Sequence, residues 1–160
     1  MFRQVRKKAN EITVSLAKDL IKKSRRGILA VNGDNGYPYA IPINYLYEYE
    51  EESQKIFFHG SKVGHKVDAI KKSDKVCFTV YGNEQIKEET WAPYLQSALV
   101  FGRCKLIEDE DRATKVLKDF AMKYYPSASM VEEEMKKAAK ATQMFEITIE
   151  HISGKEVQER

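Results

Sequence analysis

The sequence of 160 residues lacks several features that would assign a protein to a class at once. No apolar run approaches the roughly 20 residues of a membrane-spanning helix. The basic N-terminus, MFRQVRKKANE, is not followed by the apolar segment of a secretory signal. We therefore expect a cytoplasmic protein without a membrane partner. Cys77 and Cys104 lie far apart in apolar runs, which predicts two buried free thiols rather than a disulfide or a metal site.

Residues that could form a catalytic centre without a cofactor are also scarce. Three histidines are too few and badly spaced for a zinc site, since His59 and His65 are six residues apart with no cysteine or carboxylate beside them, and no zinc-protease or serine-hydrolase motif occurs. The net charge of +3 is small, and its basic clusters accompany no recognition motif, so we expect no nucleic-acid partner. The protein therefore either only binds a ligand or depends on a cofactor for its chemistry.

Short apolar segments with alternating polarity dominate the remainder of the chain. Hydrophobic residues make up 42% and charged residues 32%, as in a globular protein, and the length fits one domain over residues 1–160. Hairpin spacing between the segments predicts a mainly β, α+β fold: a six-stranded antiparallel barrel with peripheral helices. The predicted strands are 27–32, 37–47, 55–60, 75–81, 94–108 and 142–157, and the predicted helices are 12–26, 67–73, 109–125 and 130–141.

Local signals predict where several of these elements begin, bend or end. Thr13 is a candidate N-cap of the first helix and Gly27 a candidate stop. The segment 33–36, Gly-Asp-Asn-Gly, predicts a tight hairpin turn. In the strand that follows, Pro38 and Pro42 cannot donate backbone hydrogen bonds, which indicates an edge, a bulge or a strand facing a ligand. Gly102 predicts a bulge or a close backbone approach.

The segment IFFHGSKVGHK, residues 56–66, combines a strand, a loop of small residues and the start of a helix. Such a loop offers backbone N–H groups, the Ser61 hydroxyl and the Lys66 ammonium to one point, as a phosphate requires. The pattern GxxxxGK[ST] is absent, so this is not a nucleotide P-loop. The alternative is an ordinary strand exit with a solvated lysine.

A family resemblance rests on six segments that follow one another along nearly the whole chain: FRQVRKKANEIT, GILAVNGDNGYPYAIPINYLY, KIFFHGSKVGHKVDAI, KVCFTVY, YLQSALVFGRCKLIED and FEITIEHISGKE. PYAxPxNY, FHGxxxGHK and SxxxFG together, at these spacings, are the specific part. The chain resembles the flavin-binding split-barrel proteins of the pyridoxamine 5′-phosphate oxidase-like superfamily. It is most similar to their nitroimidazole-resistance (Nim) branch.

The resemblance implies a six-stranded split β-barrel that forms a homodimer, with FMN in two clefts at the interface. FAD and haem are weaker alternatives. The implied position of the ring is against the strand of Pro42, Ile43, Asn44 and Tyr45. The implied phosphate contacts are Ser61, His65 and Lys66. The remaining implied contacts are Phe58, His59 and Gly60 at the preceding strand end, and Gln96 with Ser97 on the partner side of the cleft.

The function implied by the resemblance is FMN-dependent reduction of small electron-poor molecules, nitroimidazoles and nitroaromatics included. His59 is the candidate catalytic residue, which could donate a proton to the reduced substrate or hydrogen-bond a nitro oxygen; the alternative is that it only supports the loop. Many relatives carry arginine at the position of Gln96, so phosphate neutralisation is expected to depend on Lys66. The arginine-rich substrate set of true pyridoxamine phosphate oxidases is missing, which argues against a vitamin B6 phosphate as substrate. A flavin carrier or sensor without turnover, and a haem-binding split barrel, remain as alternatives.

Further aromatic and apolar residues are weaker candidates for a role. Trp91 and Tyr94 could line a substrate pocket, although aromatic residues before a strand more often pack in a core. Tyr124 and Tyr125 are expected in the core or an interface. The candidate dimer contacts lie on one apolar strand at Leu99, Val100 and Phe101.

Overall fold

The computed structural model describes residues 1–50, 53–89 and 92–158. Described short 3₁₀ turns lie at Lys8–Asn10, Asp34–Gly36 and Ala139–Ala141. The helices are α1 (Val14–Lys23), α2 (His65–Lys72), α3 (Glu110–Tyr124) and α4 (Ala128–Ala138). None of these described helices is long and apolar enough to cross a membrane. The strands are β1 (Glu11–Ile12), β2 (Arg26–Asn32), β3 (Pro38–Asn44), β4 (Leu46–Glu50), β5 (Ser53–Ser61), β6 (Lys75–Lys87), β7 (Ala92–Leu106) and β8 (Thr142–Gln158).

The main strands form one antiparallel sheet in the order β3-β2-β6-β7-β8-β5-β4, and the short β1 pairs with β8. Because β3 and β4 stand at opposite ends of this order, the curled sheet stays open between them. The mainly β, split-barrel prediction is therefore confirmed, but the path has seven strands rather than six. The predicted strand 37–47 is two strands, because the chain leaves the ladder at Tyr45 between β3 and β4.

Several predicted boundaries were wrong for tertiary reasons. The first helix covers Val14–Lys23 rather than residues 12–26, because Ile12 pairs with Gly154 in the β1–β8 ladder and Gly27 lies in β2 opposite Ile43 of β3. The segment after residue 81, predicted as a polar connection, continues β6 to Lys87 and pairs with the start of β7. A register shift after Gly82 separates this extension from the rest of the ladder. Trp91 lies outside the described residues.

Other local predictions are confirmed. The Thr13 hydroxyl caps α1 by accepting a hydrogen bond from Leu16 N–H at 3.2 Å. Asn35 has φ +55° and Gly36 φ +78°, the positive values that the tight hairpin turn requires. At Gly102 the register between β7 and β8 shifts, and a Cβ atom there would lie 2.9 Å from Ile147 Cγ2. The bulge is therefore a place where only glycine fits.

Alternation along the strands separates the interior of the barrel from its outer surface. Val76, Phe78 and Val80 of β6 point inward and are buried, whereas the side chains between them lie on the outer surface. Cys104 is a buried free thiol, as predicted, but Cys77 is only half-buried because it faces outward. Helix α1 covers the sheet with its buried residues Ala17, Leu20 and Ile21. Helix α3 covers β5 and β8, where a second apolar cluster contains Phe57, Ile107, Val116 and Met144.

Candidate functional site

Strand β3 forms an open edge of the sheet, as its two prolines predicted. Pro38 pairs with Asn32 and Pro42 with Ile28 of β2, and β3 has no second partner strand among the described residues. Proline at an edge leaves no ladder donor unpaired. Pro42 is exposed on the outer surface, whereas Ile43 is buried inside the barrel. This edge can therefore offer backbone carbonyl groups and a flat, apolar surface to a ligand.

Tyr45 directly follows the last residue of β3, and both its ring and its backbone contact other parts of the molecule. Its buried ring meets Phe78 edge to face at 4.8 Å, and its hydroxyl donates to the Ile21 carbonyl. Its backbone N–H donates to the Tyr124 hydroxyl at 2.8 Å, and that hydroxyl has the Tyr45 carbonyl as an acceptor at 2.7 Å. The Lys123 ammonium donates to the same carbonyl at 3.0 Å. The Tyr45 side chain is thus part of the core, and only its backbone borders the open edge.

The corner between β5 and α2 has the form that the segment 56–66 predicted. Residues 61–65 are exposed, and α2 begins at His65 after Gly64, whose φ is +123°. No side chain caps the first turn of α2, although Asp68 N–H donates to the Gly64 carbonyl at 3.1 Å. N–H groups at an uncapped helix start are directed at solvent, where an anion can accept from them.

Lys66 lies at this corner without a carboxylate partner among the described residues. Its ammonium is 5.3 Å from the centre of the Phe58 ring and 5.4 Å from that of Phe145. Gly60 makes this position possible, because a Cβ atom there would lie 2.6 Å from the Lys66 nitrogen. Burial lowers the pKa of Lys66, and the nearby Cys104 thiol opposes that shift. An ammonium in this environment is suited to an anionic ligand, because an anion would favour its charged form.

The two histidines of the segment face different parts of the molecule. His59 lies on the opposite side of β5 from Phe58, exposed, with its ring edge to face with Phe120 of α3 at 4.8 Å. Burial lowers its pKa, and the positive charge of Lys66 lowers it further. His65 stacks on Tyr39 at 4.2 Å, and its Nε2 atom is 3.5 Å from Asp34 Oδ2. His59 and Lys66 are therefore electrostatic neighbours, whereas His65 is turned towards the β2–β3 hairpin.

Gln96 and Ser97 lie on β7, which neighbours neither β3 nor β5 in the sheet. The Gln96 amide donates to the Tyr94 hydroxyl at 2.8 Å, and its oxygen accepts from Asn83 at 2.6 Å. Tyr94 in turn donates to Glu156 at 2.9 Å. One chain thus brings the corner next to β3 across the open side of the sheet, where His65 stacks on Tyr39, but leaves Gln96 and Ser97 on a strand that neighbours neither element.

Comparison with known protein families assigns the chain to one of them. The sequence pattern described as pyridoxamine 5′-phosphate oxidase matches residues 15–156, which is most of the chain. The protein belongs to the pyridoxamine 5′-phosphate oxidase family. Curated proteins, by contrast, yielded no match. The family resemblance drawn from the sequence segments is therefore confirmed.

Solved structures with the same fold are distant in sequence. A candidate 5-nitroimidazole antibiotic resistance protein from Bacteroides thetaiotaomicron has 17% identity and a TM-score of 0.74, covering 92% of this chain and 87% of its own. A FAD-binding protein from Mesorhizobium loti has 21% identity and a TM-score of 0.65, over 92% and 96% of the two chains. The FAD and heme binding protein from Mycobacterium smegmatis has 18% identity and a TM-score of 0.70, over 92% and 72%. At these identities the similarity establishes the fold.

In this member of the pyridoxamine 5′-phosphate oxidase family, helix α3 supplies site-bordering residues that the sequence reasoning missed. Phe120 contacts His59, and Lys123 lies 4.2 Å above the Tyr45 ring. Burial, with a smaller contribution from Arg25, lowers the pKa of Lys123 to about 8. Tyr124 was expected only in the core or an interface. No local pattern signals that its hydroxyl would reach the backbone of a residue 79 positions away.

Proposed function

We propose that this protein binds FMN and with it reduces small electron-poor molecules, nitroimidazoles and nitroaromatics included. The observation that carries the proposal is the ammonium of Lys66, which has no described carboxylate partner and belongs to a residue in the first turn of the uncapped helix α2. A phosphate monoester needs such a cation together with free N–H groups. Family membership and the fold shared with a FAD-binding protein support the view that this phosphate group belongs to a flavin nucleotide.

The residues of the chain have separate tasks in this proposal. FMN, when bound, supplies the transfer of hydride or electrons, so the protein has to bind, orient and protonate. Lys66, Ser61, His65 and the first turn of α2 hold the phosphate. The edge of β3 from Pro42 to Tyr45 faces the ring. His59, held near Lys66, delivers a proton to the reduced substrate.

The second wall of the site is proposed to come from a second copy of the chain. Outward side chains of neighbouring strands form a row across the sheet: Pro42, Ile28, Thr79 and Leu99 are successive cross-strand neighbours. Three of these four side chains are apolar, and three of the four are half-buried. A homodimer through this face brings Gln96 and Ser97 of each copy towards the other copy's corner. Val100 cannot contribute, because it points into the barrel and is only 1% exposed.

An absorption spectrum of the purified protein, followed by chromatography of the released cofactor, tests the proposal. Flavin bands and a released compound that co-elutes with FMN are expected. Bleaching by NAD(P)H and recovery of the bands on addition of a nitroimidazole are the expected signs of a reductase. A colourless protein that takes up no FMN on reconstitution contradicts the proposal. Retained FMN that no nitro compound re-oxidises leaves the carrier or sensor function.

Haem or FAD binding is a second candidate with its own observation. The similarly folded protein from Mycobacterium smegmatis is described as binding both FAD and heme. Imidazole is a common axial ligand of haem iron, and His59 is exposed here. A Soret band in the same spectrum identifies haem. Co-elution of the released compound with FAD rather than FMN identifies the larger flavin.

A further inference from the structure

Four cations gather where the C-terminal ends of α1 and α3 meet. We call them the basic patch, and they are Lys22, Lys23, Arg25 and Lys123. The first two lie in the last turn of α1, the third follows that helix, and the fourth lies in the last turn of α3. The Lys123 ammonium donates to the Ser24 carbonyl at 3.0 Å, and the Arg25 guanidinium lies 5.2 Å from the centre of the Tyr124 ring. Two segments that are 99 residues apart in sequence therefore form one charged surface.

The charge of the basic patch is not neutralised by the described part of the chain. None of its four cations forms an ion pair with a described residue, and neither do Asp19 and Asp119, the carboxylates one turn earlier on the same two helices. Burial and the charge of Arg25 lower the pKa of Lys123 to about 8. The charge of Arg25 also opposes the rise in the pKa of Tyr124 that burial causes. The neighbouring charges that act on both groups are thus positive, so an anionic partner would be attracted here.

The basic patch is separate from the outer surface that the proposed homodimer buries. Helix α1 packs on the inner face of the sheet, because a Cβ atom on Gly154 would lie 2.9 Å from the Ala17 Cβ atom. Gly154 pairs with Ala98, whose side chain is fully buried inside the barrel. Arg26 is not part of the patch, since it alternates with buried residues and shares the outer surface with Ile28. The dimer surface proposed above therefore includes none of the four patch residues.

The basic patch adjoins the end of β3, the strand proposed to face the flavin ring. The Lys123 ammonium donates to the carbonyl of Tyr45, which directly follows β3, at 3.0 Å. The corner lies at the opposite end of this strand, where His65 stacks on Tyr39 at 4.2 Å. A strand of this length spans about 20 Å. The patch is therefore at the ring end of the proposed cofactor site and remote from the proposed phosphate contacts.

We propose that the basic patch is the docking surface of a small electron-carrier protein with an acidic surface. Lys22, Lys23 and Arg25 are exposed, and exposed cations gain little from one small anion because solvent screens each pair. A protein that presents several carboxylates at once gains from all of these cations and is steered to them by its charge. Electron-transfer complexes are typically small and weak, so they need no deep groove.

The carrier would be the reductant that the proposed function requires, and this role rests on that function. It would lose two electrons for each flavin reduced, and protons from water would complete the reduction. The docking itself does not depend on a bound flavin, because none of the four patch residues is a proposed flavin contact.

Calorimetric titration with flavodoxin, an acidic electron carrier, tests the docking surface on the full-length protein. The expected result is one flavodoxin per chain, with a dissociation constant that rises as NaCl is added. In the variant Lys22→Gln/Lys23→Gln this constant should rise about tenfold, because two charges that face the acidic surface are lost. The matched control Lys71→Gln/Lys72→Gln removes two adjacent, exposed lysines from the last turn of α2 and should leave the constant unchanged. Cytochrome c, a basic carrier, should not bind.

Stopped-flow reduction of the flavin-loaded protein by pre-reduced flavodoxin tests the role of the docked carrier. At a flavodoxin concentration below the dissociation constant, the rate should fall about tenfold in Lys22→Gln/Lys23→Gln. It should be unchanged in the α2 control. Equal rates for wild type and both variants would overturn the role as reductant.

Several binding results would overturn the docking surface itself. Absence of flavodoxin binding, or equal losses of affinity in the α1 and α2 variants, would show that the basic patch is not the place of contact. Equally tight binding of cytochrome c would show that charge complementarity is not the cause. A Lys66→Ala variant, which impairs the proposed flavin site alone, should bind flavodoxin as the wild type does. A colourless protein that still binds flavodoxin at the patch would contradict the proposed function and leave the docking surface standing, so the two proposals can fail separately.

Discussion

Lys66 has aromatic rings on one side and the proposed phosphate site on the other. Its ammonium rests against the faces of two buried rings, a favourable but weak contact of about 0.5–2 kcal/mol. A phosphate at the same corner would interact much more strongly, because both partners carry full charges. We expect Lys66→Ala to weaken FMN binding by about 2 kcal/mol, or roughly 30-fold, and more than His59→Ala does.

A flavin-fluorescence titration measures this difference. The control is Lys62→Ala, since Lys62 is an exposed lysine of the same loop and has no ring contact with a described residue. Its loss should change the dissociation constant by less than about threefold, as expected for a screened surface charge. Equal FMN affinities for wild type and Lys66→Ala would contradict the assignment of the phosphate to this corner.

The lowered pKa of His59 predicts how the rate of the proposed reduction depends on pH. Burial and the Lys66 charge lower its pKa from the ordinary value of 6.5, so the imidazolium form is present only in acidic solution. If His59 delivers the proton, the reduction of a nitroimidazole by flavin-loaded protein should slow as the pH rises through this lowered pKa. His59→Ala should retain flavin, react about 10–100-fold more slowly at acidic pH, and lose the pH dependence. Stopped-flow measurements across pH 4.5–8 would test this, and an unchanged profile in the variant would rule out a proton-delivery role.

At the scale of elements, helix α3 determines how the end of β3 is held. The Tyr124 hydroxyl accepts from the Tyr45 N–H and has the carbonyls of Arg25 and Tyr45 as acceptors. Tyr124→Phe leaves the Tyr45 N–H unpaired, at a cost of about 1–3 kcal/mol. We expect urea unfolding to show this loss for Tyr124→Phe. Tyr125→Phe, which removes a hydroxyl with no described hydrogen bond, should differ from wild type by less than about 0.5 kcal/mol.

The other end of α3 is joined to the sheet through a buried carboxylate. Glu146 of β8 is only 1% exposed, and it pairs with Arg112 and with Lys55 at 3.3 Å. Burial by itself raises the pKa of Glu146, but these cations hold it below its ordinary value of 4.5. Its ionised form therefore stabilises the fold above pH 4.5, and that contribution is lost as the pH falls through the lowered pKa.

We expect Glu146→Gln to destabilise the protein by about 2 kcal/mol at pH 7, because Arg112 and Lys55, which are only partly buried, lose their charge-assisted contacts to the buried carboxylate. Thermal unfolding at pH 7 and at pH 3.5 measures the effect, and the gap to wild type should narrow at the lower pH. The matched control is Glu150→Gln, which breaks the exposed pair with Arg103 at 2.8 Å and should cost less than about 1 kcal/mol. Equal losses for the two variants would contradict a special role for the buried carboxylate.

The predictable parts of the fold are those decided by neighbours in sequence. Asn35 and Gly36 require a turn with positive φ, and Pro42 excludes a central strand. Gly102 signalled its bulge in the same way. Each of these rules acts within one or two residues, so it can be read before the tertiary structure is known. The same holds for the corner at residues 56–66, where strand, loop and helix follow in order.

The parts that could not be predicted depend on partners far along the chain. Tyr45 interrupts a strand because Tyr124 takes up its backbone groups, and that contact needs α3 to be in place. The extension of β6 to Lys87 looks like a polar loop in sequence, since only pairing with β7 makes it a strand. The position of the Lys66 ammonium depends on Phe145 of β8 and on the space left by Gly60.

For the molecule as a whole, the outer surface of the sheet is the proposed surface of assembly. Its central strands present half-buried side chains in two cross-strand rows, Ile28–Thr79–Leu99 and Ala30–Cys77–Phe101. A row of small or apolar side chains on the outside of a sheet is suited to pack against the same surface of a second copy. The Pro42 edge, proposed to face the flavin ring, adjoins the same surface, so assembly and cofactor binding should be coupled.

We therefore predict a homodimer that loses its cofactor when it is split. Thr79→Arg places a charge at the centre of the proposed interface, where it would be desolvated in a dimer but solvated in a monomer. The variant should be folded by circular dichroism, monomeric by light scattering, and weakened in flavin binding. Thr114→Arg, a charge added on the exposed face of α3, should remain dimeric with bound flavin. A wild-type or variant monomer that still holds flavin would refute the shared cleft, because one chain would then suffice to form the site.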